Sequence, residues 1–414
     1  MSETGDVPTV PDGATVRGPG TIGRLPDLVA EAGARRVLLV CGRRSFDASG
    51  AAGILPELGS VAEVHRWDDH RPNPTAQDIA AGLAVAHQHR PDVIVGVGGG
   101  STLDTAKLVA ALHAGDDGSD PERTAQRIGT HRVDTPRDVG LILAPTTSGS
   151  GAQATHFATV YVGATKHSVA GAALLPDRVI LDPALAMSGS PYQRACSGID
   201  ALAQAIESLW AVGADETSRR DAHAAVELLA PAVVPFAEAP DEATAAAMAT
   251  GSHLAGAAIN RSRTTLPHAL SYALTQHVGL PHGHAVAHTL PAVVERHVHA
   301  EPDRLVGITP AEHAHAIGRL ADALGVDDGA DAAAEVERLV SALGLREAET
   351  GQHAAIIADA DRLAGSVDPV RLANNPVRFT PAELRAIVLA GTTSGTATGT
   401  ATGTDVTGAG RSRP

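Results

Sequence analysis

Aromatic residues are nearly absent from this chain of 414 residues, which has only two Trp, three Tyr and four Phe. Positive charge is also in short supply, because 47 Asp and Glu outnumber 32 Lys and Arg and leave a net charge of −15. Proteins that bind nucleic acid or anionic membranes rely on clustered cations, and single-strand binding adds stacked aromatics. The composition therefore argues against nucleic acid and against a membrane surface as the main partner.

Cysteine is equally scarce. Cys41 and Cys196 are the only two in the sequence, which excludes a disulfide framework and suits a reducing compartment. No stretch approaches the ~18 consecutive apolar residues that a membrane helix needs. The opening residues, MSETGDVPTVPDG, contain no basic and then apolar run of the kind that directs export. We therefore expect a cytoplasmic protein.

Short apolar runs alternate with helical patterns in the first part of the chain. The runs cover residues 35–41, 92–97, 141–145 and 179–182. Unbroken apolar strands separated by helices are typical of a parallel sheet that is covered on both faces. We therefore predict a Rossmann-like α/β domain that binds a dinucleotide over residues 15–185, preceded by a flexible N-terminus at residues 1–14.

The character of the sequence changes after residue 185. Ala- and Leu-rich segments with helical spacing follow one another at residues 199–212, 218–230, 242–260, 311–324, 332–343 and 381–390. They predict an all-helical second domain over residues 186–391, with the histidines between His268 and His299 in its loops. Residues 392–414 are rich in Gly, Thr and Ala. Such a tail cannot bury a core, and we predict that it is disordered.

A glycine loop follows the run at residues 92–97. Gly98, Gly99, Gly100 and Ser101 separate this predicted strand from a helix that carries Asp104. Glycines let a backbone approach a pyrophosphate, and the start of a helix offers free N–H groups and partial positive charge to phosphates. The alternative is a plain strand-to-helix turn. We predict that the loop binds a dinucleotide.

A second loop, after the run at residues 141–145, combines hydroxyl groups with backbone that glycines leave accessible. It contains Thr146, Thr147 and Ser150. Loops of this composition can hydrogen-bond a cofactor's phosphates, ribose or carboxamide. The loop alone is weak evidence, but together with the glycine loop it predicts the second wall of one cleft.

Polar residues that could carry chemistry lie in the predicted helical domain. Asp200 and Gln204 are four residues apart, so they share one helix face, as metal ligands or as a simple hydrogen-bonded pair. The imidazoles of His268 and His282 are candidate metal ligands or proton donors. Because the chain has 20 histidines, residue type alone does not single these two out.

Longer motifs connect these residues. The sequence contains VGVGGGSTLDTAK at 95–107, PTTSGSG at 145–151, SGIDALAQAIESLW at 197–210 and PHALSYALTQHVGLPHGHAVA at 267–287. With shorter matches between residues 15 and 391, these motifs resemble the iron-containing (group III) alcohol dehydrogenase family. The resemblance implies a dinucleotide-binding domain followed by a helical domain, in the fold that dehydroquinate synthase shares. It also implies a homodimer or larger homo-oligomer, and hydride transfer in the cleft between the domains.

The family holds a metal ion with an Asp and a His four residues apart on one helix and with two further histidines. By position, these ligands become Asp200, Gln204, Thr264 and His282. An amide and a hydroxyl, which are poor donors to a transition ion, thus replace two imidazoles. Two alternatives follow from the resemblance. His268 completes a set with Asp200 and His282 for Fe or Zn, or no metal is bound and His268 donates a hydrogen bond to the substrate, as in the metal-free maleylacetate reductases.

Within the family, the stretch from Arg263 to Tyr272 and the PHGHA after it are most similar to the phosphonoacetaldehyde reductases. That similarity implies reduction of phosphonoacetaldehyde to 2-hydroxyethylphosphonate in phosphonate natural-product biosynthesis. An anionic substrate needs compensating donors. We expect Arg261, Arg263, Thr264 and Lys166 to face the cleft, although such cations are also common on solvated loops.

The first predicted strand is followed by Gly42, Arg43 and Arg44. Enzymes that select NAD usually place a carboxylate beside the adenosine ribose, whereas NADP needs room and cations. The sequence has no acid at this position, and two guanidinium groups stand beside it. We therefore predict NADPH, with NADH as the alternative, and we also place Lys166 near the cofactor.

The predicted reaction develops negative charge on the carbonyl oxygen, which a metal or a positioned donor must stabilise. We expect His268, His282 and Asp200 to carry this step. Four other functions fit parts of the sequence: a maleylacetate reductase-like enzyme acting on a dicarboxylate, a general aliphatic alcohol dehydrogenase, a lyase of the dehydroquinate synthase fold, and an inactive nucleotide-binding protein.

Overall fold

The computed structural model describes residues 7–133, 135–346, 350–367 and 369–392. The disordered tail predicted for residues 392–414 lies, apart from Thr392, outside the described residues. The same holds for residues 1–6 of the predicted flexible N-terminus. Both therefore stay predictions.

Eight strands form the β structure. In chain order they are β1 (Thr15–Arg17), β2 (Arg36–Cys41), β3 (Glu63–Trp67), β4 (Val93–Gly98), β5 (Gly140–Pro145), β6 (Phe157–Val162), β7 (Thr165–Ala170) and β8 (Arg178–Leu181). Six of them make one sheet in the order β1-β8-β5-β4-β2-β3, and every pairing in it is parallel. The predicted parallel sheet is confirmed, with all four predicted runs in it. β1 and β3 were not predicted, because β1 is only three residues long and β3, EVHRW, is mostly polar.

Alternate residues of the central strands serve two separate cores. Leu38 and Ile94 pack into one apolar cluster, and the next residues along, Leu39 and Val95, pack into the cluster on the opposite face. Helices cover both faces: α1 (Leu25–Glu31), α2 (Ser45–Ala48), α3 (Leu55–Val61), α4 (Ala76–His89), α5 (Gly100–Leu112) and α6 (Pro121–Gly129). Burial on both faces explains why these strands lack polar alternation.

The C-terminal part is helical, as predicted. Its helices are α7 (Pro191–Trp210), α8 (Glu216–Glu238), α9 (Glu242–Ser262), α10 (Leu266–Ala273), α11 (His282–Val298), α12 (Pro310–Leu324), α13 (Gly329–Ala342), α14 (Thr350–Gly365), α15 (Pro369–Leu372) and α16 (Pro381–Ala390). Trp210 and Phe236 are fully buried in a single core that joins these helices. None of the helices in the described residues combines the length and apolarity needed to span a bilayer.

The histidines between His268 and His299 do not lie mainly in loops, and that prediction was wrong. The segment forms α10, one turn of π-helix (Leu274–Val278) and α11. Its buried imidazoles have specific partners, such as the Val388 carbonyl oxygen 2.8 Å from His288 Nε2. Pattern analysis counts histidine as polar, so histidines at buried helix positions hide the helical period.

The hairpin of β6 and β7 was not predicted, and a buried lysine ties its start to α5. Lys107 Nζ donates to the carbonyl oxygens of Ala152 and Thr155, both at 2.8 Å, and to Thr155 Oγ1 at 2.9 Å. Burial lowers the pKa of Lys107 to about 8. This lysine therefore fastens the hairpin to the helix that follows the glycine loop.

Buried histidines should make the fold sensitive to acid. Burial lowers the pKa of His288 to about 4 and that of His297 to about 3. Between these values and about 6.5 the unfolded chain binds protons that the folded chain does not, so each group costs about 1.4 kcal/mol of stability per pH unit. We expect denaturant unfolding to show a clear loss of stability between pH ~6.5 and ~4.5.

The matched test is His288→Gln, which keeps a donor for the Val388 carbonyl but cannot titrate. We expect its stability to fall less steeply over this pH range than that of the parent protein. The control is His299→Gln, because the His299 side chain at the end of α11 is 62% exposed. Equal slopes in the parent and His288→Gln would contradict the prediction.

Candidate functional site

Two connected cavities open at the carboxyl ends of the parallel strands, where the sheet meets the helical part. The first cavity, of about 950 Å³, reaches from Gly42 and Arg43 to α7. The second cavity, of about 740 Å³, lies beneath the β6–β7 hairpin. Six residues line both: Gly100, Ser101, Thr147, Ser197, Asp200 and His282. The cavities therefore form one cleft with room for an extended ligand and a small second one.

The glycine loop forms the floor between the cavities. α5 begins at Gly100 without a side-chain cap, so its first N–H groups stay available to a ligand. A Cβ on Gly98 would lie 2.6 Å from Thr102, and one on Gly100 would lie 2.6 Å from Ser150 Oγ. Close packing therefore requires glycine at both positions.

Some of the predicted cofactor residues line the cleft, and others are buried behind its surface. Gly99, Gly100, Ser101, Thr147 and Ser150 line the cleft. Gly98 and Thr146 are buried behind this surface and do not line either cavity. The loop with Thr147 and Ser150 thus faces the glycine loop, as the sequence predicts.

The far end of the first cavity has an acid that sequence analysis did not find. A Cβ on Gly42 would lie 2.1 Å from Ser45 Oγ, so a larger residue there would require the Ser45 hydroxyl to rotate away. Arg43 Nη2 lies 2.7 Å from Asp69 Oδ1, and both side chains are exposed. Asp69 follows β3, the strand next to β2, so its carboxylate reaches the same edge from another part of the sequence. The prediction that no carboxylate lies beside Arg43 and Arg44 was therefore wrong.

Asp104 and Lys166, predicted to contact the cofactor, line the second cavity instead. Asp104 Oδ2 accepts a hydrogen bond of 2.9 Å from the backbone N–H of Thr159 in β6. Burial raises the pKa of Asp104, with Lys107 opposing that shift. Asp104 therefore also joins α5 to the hairpin.

Asp200, His268 and His282 meet at the boundary between the two cavities. Their candidate ligand atoms all lie within 4.8 Å of one another. His268 Nε2 is 3.1 Å from Asp200 Oδ1, and His282 Nε2 is 3.7 Å from the same oxygen. Three different helices, α7, α10 and α11, supply these side chains. We call these three residues the Asp-His-His cluster.

Glu207 fixes the orientation of His268. The Glu207 carboxylate is fully buried and accepts hydrogen bonds from His268 Nδ1 and from the backbone N–H and hydroxyl of Thr265. Burial disfavours the charged imidazole, but Glu207 and Asp200 outweigh that penalty and raise the pKa of His268 to about 9. Burial likewise disfavours the Asp200 carboxylate, but His268 and His282 outweigh it and lower the pKa of Asp200. Glu207 lies seven residues after Asp200 on the same helix face, a spacing that sequence analysis overlooked.

His282 presents an acceptor atom to Asp200. The Ser271 hydroxyl donates to the His268 carbonyl oxygen at 2.7 Å, so its lone pairs accept from His282 Nδ1–H at 3.3 Å. Burial, with Lys166 nearby, lowers the pKa of His282 to about 3. The neutral Nε2 lone pair therefore faces a carboxylate oxygen.

The cluster fits a divalent metal ion. His282 Nε2 and Asp200 Oδ1 are both acceptors, and they face each other. A cation near both atoms would compensate the repulsion between their lone pairs. The buried Gln204 Oε1 has no hydrogen-bond partner among the described residues and lines the same cavity. Glu207 behind His268 is the kind of outer carboxylate that orients metal-bound histidines. Thr264 also lines the second cavity.

Cations and an aromatic ring form the far wall of the second cavity. Lys166 Nζ and the Arg371 guanidinium lie 4.0 and 4.6 Å from the centroid of Tyr272, whose hydroxyl accepts from Arg371 Nη1 at 2.8 Å. The Arg263 guanidinium lies 4.4 Å from the centroid of Phe157. Among the described residues, no carboxylate forms an ion pair with Lys166, Arg263 or Arg371. Burial and Arg371 lower the pKa of Lys166 to about 7.

Arg261 does not face this cavity, and the expectation that it does is corrected. Its Nε lies 2.6 Å from Asp215 Oδ2. Residues two apart at a helix end point in different directions, so Arg261 and Arg263 diverge. Arg371 was missed for the opposite reason. It lies 99 residues after Tyr272 in the sequence and belongs to no motif that points to a substrate.

Comparisons with known proteins agree with the fold. Residues 13–183 match the family described as iron-containing alcohol dehydrogenase, and residues 194–389 match the C-terminal part of that family. A phosphonoacetaldehyde reductase of Streptomyces viridochromogenes is 38% identical over 66% of this chain and 70% of its own. Long-chain-alcohol dehydrogenase 1 of Geobacillus thermodenitrificans is 37% identical over 56% of this chain and 58% of its own.

A solved structure, sulfoacetaldehyde reductase from Bifidobacterium kashiwanohense in complex with NAD⁺, superposes with a TM-score of 0.76. The two are 26% identical, and the match covers 93% of this chain and 98% of that one. Together the two family matches cover most of the described chain. The chain therefore belongs to the iron-containing alcohol dehydrogenase family, oxidoreductases that interconvert aldehydes and alcohols with a nicotinamide dinucleotide.

Proposed function

We propose that this protein reduces a small anionic aldehyde with NADPH, and that the aldehyde is phosphonoacetaldehyde, which becomes 2-hydroxyethylphosphonate. One observation carries the proposal. Arg263 and Arg371, with Lys166 beside them, line the same cavity as the Asp-His-His cluster, and none of the three forms an ion pair with a carboxylate of the described residues. The protein has a net charge of −15, so cations gathered without carboxylate partners in a cavity favour an anionic ligand.

The dinucleotide would occupy the first cavity. Its pyrophosphate would lie against the free N–H groups at the start of α5, and its adenosine end would lie near Arg43 and Arg44. Its nicotinamide would reach the residues shared by both cavities, among them Thr147 and Asp200. From there a hydride can move from the nicotinamide to the carbonyl carbon of an aldehyde in the second cavity.

The Asp-His-His cluster would stabilise the charge that grows on the carbonyl oxygen. Asp200, His268 and His282 would hold a divalent ion, which would supply positive charge to stabilise the carbonyl oxygen. Without one, His268 donates from Nε2 while Glu207 holds its Nδ1–H. In both cases Glu207 fixes the ring and Ser271 holds His282. The donor set described above favours the first arrangement.

Substrate charge is the first test. We expect kcat/KM for phosphonoacetaldehyde to exceed that for propanal by at least about a hundredfold, because two charge-assisted hydrogen bonds each contribute tenfold or more. Arg371→Gln should lower the phosphonoacetaldehyde value about tenfold and leave that for propanal unchanged. Steady-state rates of NADPH oxidation measure both. Equal values for the two aldehydes in the parent protein would remove the phosphonate from the proposal.

Metal uptake is the second test. We expect the protein to bind one Co²⁺ per chain with visible absorption bands, and His282→Ala to lose them, because the cluster then has two ligands. His299→Ala, at the exposed end of α11, is the control and should keep the spectrum. No uptake by the parent protein would instead support the arrangement in which His268 donates a hydrogen bond.

Cofactor choice is the third test. We expect NADPH to be preferred over NADH, and Arg43→Ala to reduce that preference, because the guanidinium would contact the 2′-phosphate. Asp69→Asn should increase the preference, since it removes a carboxylate that competes for Arg43 and repels phosphate. The KM for the aldehyde serves as the internal control in both variants. An unchanged ratio of NADPH to NADH efficiency in both would refute the role of this pair.

A further inference from the structure

Arg263 has a backbone conformation that side chains rarely adopt. It follows the last residue of α9 with φ 62° and ψ 177°. This region is essentially reserved for glycine, and other residues stay there only where the surroundings force them to. Glycine is also the usual residue just after a helix. The arginine is therefore held at this position against its local preference.

Two neutral side chains hold the Arg263 guanidinium. His156 Nε2 accepts from Arg263 Nη2 at 3.0 Å, and His156 Nδ1–H donates to Asn260 Oδ1 at 2.6 Å. Asn260 is almost fully buried, and its amide donates to the Pro8 carbonyl oxygen at 2.8 Å. Burial and Arg263 itself lower the pKa of His156 to about 4. The partner of Arg263 is thus an uncharged imidazole with a fixed tautomer.

Arg261, two residues before Arg263, has a charged partner instead of an uncharged one. The carboxylate of Asp215 neutralises it, whereas Arg263 is oriented without being neutralised. The same holds for Arg371, whose partner is the Tyr272 hydroxyl. Arg263 and Arg371 both line the second cavity, so two positive charges lie on the wall of one space. Burial and the charge of Arg371 together lower the pKa of Arg263, as expected when the two guanidiniums repel each other. An anion between them relieves that repulsion.

We propose that His156 and Asn260 are positioning residues that hold Arg263 as one arm of an anion clamp, with Arg371 as the other arm, and that the clamp takes a tetrahedral dianionic head group. This inference rests on the proposed function, because it assumes that an anionic aldehyde enters the second cavity. The two planar guanidinium groups offer more N–H donors than the two oxygens of a carboxylate can accept. A phosphonate has three oxygens and can therefore accept more of these hydrogen bonds.

The main experiment compares the parent protein with His156→Leu, using phosphonoacetaldehyde and propanal. We expect His156→Leu to raise KM for phosphonoacetaldehyde by about tenfold or more, with kcat little changed. Its kcat/KM for propanal should equal that of the parent. His156→Gln, which can accept from Arg263 and donate to Asn260, should recover part of the loss. The control His167→Leu changes a hairpin histidine outside both cavities and should behave as the parent.

Inhibition by methylphosphonate separates this inference from the proposed function. We expect competitive inhibition of propanal reduction in the parent protein and a clear loss of that inhibition in His156→Leu. If phosphonoacetaldehyde proves a poor substrate but methylphosphonate still inhibits in this way, the clamp stands and the proposed substrate is wrong. If methylphosphonate inhibits both proteins equally, or neither, the positioning role is overturned.

The backbone of Arg263 allows an independent check. Arg263→Gly and Arg263→Ala both remove the guanidinium, and both should lose the preference for phosphonoacetaldehyde. They differ only in the ease with which they adopt the observed φ and ψ. We expect the glycine variant to melt at a higher temperature than the alanine variant, the reverse of the usual order. A higher melting temperature for the alanine variant would show that the position is not held as described.

Discussion

The imidazole of His268 lies between two buried carboxylates, and the geometry of the Asp-His-His cluster depends on that contact. Asp200 and Glu207 are two turns apart on α7, and neither could stay charged in the interior without a partner. His268 contacts both carboxylates and thereby ties α10 to α7. One turn after His268 on α10, Ser271 contacts His282 of α11. The same pair of carboxylates therefore links two helices and sets the geometry of the cluster.

The sequence predicted what local patterns control. The central strands read as apolar runs because both faces are buried, and the glycine loop is recognisable because Gly98 and Gly100 have no room for a side chain. It did not predict what depends on distant contacts. β3 is polar because it lies at the sheet edge, and Asp69 reaches Arg43 only through the pairing of β2 with β3. Arg371 meets Tyr272 through the packing of α15 against α10.

The histidine-rich segment shows a second limit. Four of its imidazoles, those of His268, His284, His288 and His297, take buried positions on α10 and α11, where a polar ring needs its own acceptor or donor. Periodicity analysis cannot register this, because it separates apolar from polar residues and treats histidine as polar. The resemblance to a family singled out His268 and His282. It did not find Glu207, whose importance follows from its burial and its contact with His268.

The attachment of the hairpin to α5 has a mechanical consequence. Lys107 and Asp104, both on α5, bond to the start of the hairpin and to β6, while the first turn of the same helix lines the first cavity. A shift of α5 would therefore move both the floor of the first cavity and the hairpin wall that carries Phe157 and Lys166.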